Sequence, residues 1–495
     1  MQLEEASVSD LQAAMTSAEL SAETLTQYYL DQIQSLDKTG PKLNSVIELN
    51  PDALELAKTL DQERQEGKTR GSLHGIPVLI KDNIDTHDKM MTTAGSLALE
   101  GSVAKKDAFI VHKLREAGAI LLGKTNLSEW ANFRSSRSSS GWSSRGGQTQ
   151  NPYVLGRSPC GSSSGSGVAA AANLCALAVG TETDGSIVCP SSVNGVVGLK
   201  PSLGLVSRSG IIPIAHSQDT AGPMTRTVKD AAILLSVLRG ADASDALTLQ
   251  APKALRYEDH LDRESLAGAR LGVVRNLMDY HEGVNAVAEE AFAKLRELGA
   301  ELVDVTIDSA KKIRNFEMSV LLHEFKYGLN LYLAGLEEGF PKTLADIIAF
   351  NLLNEAKTMP FFKQELHIRA QATEGLESDS YQNALAMSKE LAQAEGIDKA
   401  LREHKLDALI APTGGPAWTI DRVNGDRYLG SCSSLAAVAG YPHITVPAGF
   451  IHNLPLGLSF FAEAFSESKL LSFAYAFEAA TQTRKAPQFL RESLN

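Results

Sequence analysis

Two runs of small, hydroxyl-bearing residues lie close together in this chain. They are Gly161-Ser162-Ser163-Ser164-Gly165-Ser166-Gly167 and Gly180-Thr181-Glu182-Thr183-Asp184-Gly185-Ser186. Glycine loses more backbone freedom on folding than any other residue, so such loops are costly to order. A chain that sets two of them around one apolar segment needs backbone N–H groups and hydroxyls exposed at a single point. Acyl transfer and phosphate handling both make that demand. A phosphate loop ends in Gly-Lys-Ser/Thr, and neither run supplies the lysine.

Gly161-Ser162-Ser163-Ser164-Gly165 fits the G-x-S-x-G nucleophile elbow, but the elbow needs a strand directly before it. Here Arg157-Ser158-Pro159-Cys160 reads as loop, and His216, His443 and His452 have no context that marks a partner. Ser-x-x-Lys occurs at Ser102–Lys105 and again at Ser466–Lys469, while the Lys38-Thr39-Gly40 that such hydrolases need precedes both serines. His281-Glu282 and His323-Glu324 lack the second histidine of a zinc-protease helix, so no metal is expected.

One lysine stands apart. Lys81 ends the apolar run Ile76-Pro77-Val78-Leu79-Ile80 and opens the polar turn Asp82-Asn83-Ile84-Asp85. At the mouth of a buried strand its amine would be desolvated and its pKa lowered. Moving it from about 10.4 to about 7 corresponds to roughly 4–5 kcal/mol of differential interaction. Asp82 and Asp85 would oppose that shift, so their carboxylates should face away. Taken alone, Lys81 reads as a surface lysine paired to Asp82.

The elements that must hold these groups alternate. Residues 7–36 read as helical, with Ser9 and Asp10 as caps. Pro77–Ile80 reads as a strand, Asp107–Ala117 as a helix capped by Asp107, Ala119–Lys124 and Gly195–Lys200 as strands, and Val168–Val179 as a buried helix. Further strands are expected at Leu271–Val274, Leu302–Val305, Leu406–Pro412 and His443–Pro447, with a helix at Val287–Leu298. This β–α–β rhythm favours an α/β fold. No linker divides the chain, so residues 1–495 are expected to form one domain with a mainly helical insertion around 311–400.

A net charge of -12, without any basic block interleaved with aromatics, argues against nucleic acid or an anionic membrane as a partner. Val168–Val179 is too short to span a bilayer. Cys160, Cys175, Cys189 and Cys432 show no zinc-like or CxxC spacing and read as reduced packing residues. The opening MQLEEASVSDLQAAM has no basic n-region or apolar h-region. A cytoplasmic protein is the expectation; oligomeric state is not legible.

Lys81 and the two runs belong to a longer pattern. His74-Gly75-Ile76-Pro77-Val78-Leu79-Ile80-Lys81-Asp82-Asn83, the serine-rich loop and Thr183-Asp184-Gly185-Ser186-Ile187 together resemble the amidase signature hydrolases. The resemblance continues through Lys124–Trp130, Gly198-Leu199-Lys200-Pro201, Asp219–Met224, Ala439-Gly440-Tyr441-Pro442 and Leu454-Pro455-Leu456-Gly457, and so covers nearly the whole chain. It implies a mixed central sheet covered by helices on both faces. It also implies a Ser–cis-Ser–Lys triad that cleaves amides through an acyl-enzyme without a cofactor. Ser186 would be the nucleophile, Ser162 the bridging serine on a cis bond, and Lys81 the general base. Backbone N–H groups of Thr183, Asp184, Gly185 and Ser186 would form the oxyanion hole. Ser163 and Ser164 would either orient the triad or cap the following helix; Trp130 and Ala131 would line the acyl pocket or simply pack.

Within the family the usual block is Asp-x-Gly-Gly-Ser-Ile-Arg, where this chain has Glu182-Thr183-Asp184-Gly185-Ser186-Ile187-Val188. Asp184 and Val188 turn the resemblance away from the A-type subunits of amidotransferases, which supply ammonia within a complex. They turn it toward peptide amidases, which release ammonia from C-terminal peptide amides and related carboxamides.

Overall fold

Short apolar runs bounded by turn residues make the strands of this chain. The computed structural model describes residues 2–253 and 255–491. In chain order the strands are β1 (Val46–Leu49), β2 (Pro77–Lys81), β3 (Ile120–Thr125), β4 (Trp142–Ser143), β5 (Gly147–Gln148), β6 (Leu177–Glu182) and β7 (Val197–Lys200). They continue as β8 (Thr220–Thr225), β9 (Arg270–Val274), β10 (Glu301–Val305), β11 (Ala408–Pro412), β12 (His443–Ile451) and β13 (Leu454–Phe461). Strands β4 and β5 form a small hairpin; the other eleven form one mixed sheet in the order β1-β3-β2-β6-β8-β7-β12-β13-β11-β9-β10. Every residue of β2, β3, β6, β7, β8, β11 and β13 is buried. A sheet reaches that state only when helices cover both faces, as they do here.

The parallel pairs position the chemistry. β2 runs parallel to both β3 and β6, with Ile80 opposite Val179. The carboxyl ends of β2 and β6 therefore emerge together, one delivering Lys81 and the other Thr181 and Glu182. Openings at the carboxyl ends of parallel strands are where α/β folds place their sites.

Several local expectations are corrected. Val168–Val179 is not one helix: the chain is helical over Ser164–Ala171 and then becomes β6. Asn173, at φ 54°, takes the left-handed conformation that ends the helix and turns the chain into the sheet. The N-terminal stretch splits into helices Val8–Thr16 and Ala22–Gln32, and the first is capped by Ser7 in a reciprocal pair with Asp10. Asp107 does not cap Phe109–Glu116; its carboxylate accepts instead from His87 N and Arg115. The helical stretch resolves into Ala310–Ala334, Leu344–Leu353, Glu355–Thr358, Glu365–Gln371 and Asp379–Ala392.

Two of the four cysteines are not reduced packing residues. Cys160 and Cys189 form a disulfide, while Cys175 and Cys432 are free and buried as expected. The sequence hides the pair because the two lie 29 residues apart, and only the turn from helix into β6 brings them together. The chain-entropy relation assigns a ring of this size about 3–4 kcal/mol of stabilisation. Reduction, or Cys189→Ala, is expected to lower the denaturant midpoint accordingly; equal midpoints with and without reductant would refute it.

Candidate active site

Lys81 ends β2 with its side chain fully buried. Its amine donates to Ser162 Oγ (2.8 Å), Ser163 Oγ (3.0 Å), Thr181 Oγ1 (2.8 Å) and Thr181 O (3.2 Å). Burial pushes its pKa down to about 7, against the opposing pull of the Asp219 and Glu182 carboxylates. Asp82 and Asp85 face away, as expected. The Asp82 carboxylate takes Gly95 N (3.1 Å) and approaches Arg145 (3.4 Å), and Asp85 accepts from Tyr332 Oη (2.8 Å).

The Gly161–Ser162 peptide bond is cis. Ser162 is fully buried beside Lys81, and its carbonyl accepts from Ser128 N (3.1 Å). The side chain of Ser163 caps no helix. Its hydroxyl donates to Thr181 O (2.9 Å) and accepts from Thr181 N (3.1 Å), and its N–H donates to Ser186 O (3.1 Å). Gly180 permits this approach, since a Cβ there would lie 2.8 Å from Ser163 Oγ. Ser164 Oγ turns back onto Cys160 O (2.5 Å).

Ser186 lies one turn beyond β6 and is 8% exposed; its hydroxyl makes no hydrogen bond with the described residues. Glu182, just before this turn, accepts from Gly185 N (2.9 Å), Ile187 N (2.7 Å) and Val188 N (3.0 Å). The Gly185 N–H is therefore consumed, contrary to its expected place among the free donors. Gly185 serves the turn through its backbone, at φ +79°, where a side chain would be strained. Thr183 donates through its hydroxyl to Asp219 (2.5 Å), and Asp184 accepts from Ser434 Oγ (2.6 Å). Asp219 also takes Ile214 N and Ala215 N, both at 2.9 Å, and burial raises its pKa to about 7.

A cavity of about 600 Å³ opens beside this cluster. Ile212, Ile214, Leu331 and Leu376 give it apolar walls, and Thr181, Thr183 and Asp219 face it from the strand ends. Ala131 lines it, whereas Trp130 packs behind, edge-on to His367 with ring centroids 6.0 Å apart. Asn83 also lines it and donates to Thr181 Oγ1 (3.0 Å). Sequence reasoning assigned no role to Thr181, Glu182, Asn83 or Asp219, although all four stand within the quoted motifs. His443 does not partner a serine of the loops and bonds Ser459 instead (2.6 Å). Among the described residues no group of three or more His, Cys, Asp or Glu side chains could hold a metal ion, and no helix is long and apolar enough to cross a membrane.

Residues 24–471 match the Amidase family. A probable amidase of Arabidopsis thaliana is 43% identical over 99% of this chain and 92% of its own length. The solved structure of native peptide amidase from Stenotrophomonas maltophilia is 52% identical, covers 98% of this chain and 99% of its own, and superposes with a TM-score of 0.94. The A-type subunit of the glutamyl-tRNA(Gln) amidotransferase of Symbiobacterium thermophilum is 35% identical over 98% of this chain and 99% of its own length.

The Lys81 environment has a consequence for stability. Its folded pKa of about 7 lies below the unfolded value of about 10.4, so between the two the folded chain binds fewer protons. Burial of Lys81 therefore costs most below about pH 7, and the cost is relieved as pH rises. Relative to Lys81→Met, the wild type should gain about 1.4 kcal/mol per pH unit between about pH 7.5 and 10. Paired urea titrations measure this; a pH-independent difference would show an ordinary lysine.

Proposed function

The chain belongs to the amidase family and is an amide hydrolase, and from that premise we propose a serine–serine–lysine relay acting on C-terminal peptide amides or related carboxamides. One observation carries the reading: a buried amine, its pKa lowered to about 7 so that it is about half neutral at pH 7, bonded at 2.8 Å to Ser162. Neutral Lys81 takes the proton of Ser162, which takes that of Ser186 as its Oγ attacks the carboxamide carbon. In the free enzyme the Ser186 hydroxyl is unengaged, and it swings onto Ser162 as substrate enters. Such contacts commonly tighten only in the complex. The C–O bond forms, and the negative charge on the former carbonyl oxygen is met by backbone N–H groups of the turn. Collapse breaks the C–N bond, and the relay run backward hands the proton to the departing amine. Water then attacks the acyl ester by the same route, releasing a carboxylic acid and restoring Ser186.

The apolar cavity receives the acyl side of the substrate, with Ala131 in its wall and the helical residues Tyr327 and Leu331 and the turn residue Leu376 across from the strand ends. On this reading residues 1–495 act as one domain, and the helices around 311–400 are an insertion that encloses the substrate. The 52% identical peptide amidase supports carboxamides as the substrate class. The disulfide supports an oxidising compartment over the cytoplasm that the N-terminal sequence suggested.

The likeness to the A-type component of an amidotransferase favours a second reading, ammonia supply within a complex. Purified protein should release ammonia from a peptide amide without partner, tRNA or ATP; dependence on them would select the second reading. Ser186→Ala should lower turnover by about 10⁴-fold or more while the protein stays folded, with Lys81→Ala nearly as severe. A fluorophosphonate adduct should map to Ser186 by mass spectrometry, and mapping to Ser163 would overturn the assignment.

A further inference from the structure

The turn that carries Ser186 is organised by a carboxylate. Glu182, 1% exposed, uses Oε1 for Gly185 N (2.9 Å) and Oε2 for Ile187 N (2.7 Å) and Val188 N (3.0 Å). These bonds fix the Asp184–Gly185 and Ser186–Ile187 peptide planes, which bracket the nucleophile's turn. The N–H groups of Asp184 and Ser186, interleaved with the consumed ones, donate to no acceptor among the described residues. The Gly185, Ile187 and Val188 donors are thus taken by Glu182, while those of Asp184 and Ser186 remain available for a ligand.

Glu182 also has a buried counter-charge. Lys200, at the end of β7, is fully buried and its amine donates only to Pro201 O (3.1 Å) among the described residues. Its positive charge favours ionised Glu182, against burial, which raises the pKa of the carboxyl. An ionised carboxylate accepts three N–H bonds as charge-assisted ones. A carboxamide would turn an NH₂ donor toward at least one of them.

We propose that Glu182 is a positioning residue for the reaction, holding the turn so that Ser186 faces Ser162 and the N–H groups of Asp184 and Ser186 face the developing oxyanion. The proposal rests on Ser186 being the nucleophile. It gives Gly185 a conformational part and leaves the oxyanion to the N–H groups of the turn that Glu182 does not take. Glu182 has a second, electrostatic effect: with Asp219 it is one of the two carboxylates that hold up the pKa of Lys81.

The test compares Glu182→Gln and Glu182→Asp with wild type on one peptide amide, following kcat, KM, the pH profile and the melting temperature. Glu182→Gln should lower kcat by about 10²–10³-fold, the loss typical of one oxyanion donor, with KM little changed. The acidic limb of its profile should move to lower pH, because Lys81 loses one of the charges that raise its pKa. Glu182→Asp keeps the charge one methylene short and should recover most of the loss, remaining about tenfold below wild type on the same scale. A Glu182→Gln enzyme within twofold of wild-type kcat, or a Glu182→Asp enzyme equally impaired with an unmoved acidic limb, overturns the proposal. Should Glu182→Gln not fold, wild-type kcat in Glu182→Asp overturns it. Fluorophosphonate labelling of the wild type at a residue other than Ser186 would instead defeat the underlying assignment.

Discussion

Removing the Lys81 amine from water is the constraint around which the rest is arranged. A buried ammonium is unfavourable, and the protein meets it partly by supplying acceptors and partly by releasing the proton. Ser162, Ser163 and Thr181 supply the acceptors, and the serine loop and β6 must be brought to one point with β2. The parallel register of β2 and β6 brings Thr181, and the cis bond with the helix that follows it brings the two serines. Asp219 and Glu182 stand near enough to oppose the loss of the proton, so the amine settles near 7. The balance between desolvation and these two carboxylates decides whether Lys81 can serve as a base.

The same economy governs the turn after β6. Glu182 is buried and Asp219 half-buried at the cavity wall, and both are satisfied chiefly by backbone N–H groups. Each therefore stiffens a loop while tuning an amine. Asp219 ties the Ile214–Ala215 segment, part of the cavity wall, to the Thr183 hydroxyl. Glu182 ties the start of the Val188–Val193 helix to the end of a central strand. Substrate wall, nucleophile turn and base are linked through two acids.

Lys81 stood out as a lysine closing an apolar run, but alone it read as a surface lysine paired to Asp82; its place among the longer motifs gave it a proposed role. The two small-residue runs were legible from their cost in backbone entropy. Strand β8, reading Thr-Ala-Gly-Pro-Met-Thr, was not, since glycine and proline suggest a loop. In place, Gly222 is required there because a Cβ would lie 2.1 Å from Leu199 O. Helix Ser164–Ala171 and β6 merged into one apolar stretch because periodicity cannot separate short buried elements. The part of Glu182 was hidden for another reason: which N–H groups a carboxylate reaches depends on a turn whose path is set by distant strands. Trp130 and Ala131 are adjacent, yet only Ala131 meets the cavity, a distinction that comes from local backbone direction.

The Cys160–Cys189 bond divides the site by connectivity. Ser162, Ser163, Thr181, Glu182 and Ser186 all fall inside the closed circuit, and Lys81 comes from outside it. The hydroxyl half of the machinery is thus a self-contained covalent loop against which a separate strand presents its amine. A single backbone cut anywhere between the two cysteines would leave both proposed reacting serines tethered to one another, joined through sulfur where the main chain no longer connects them.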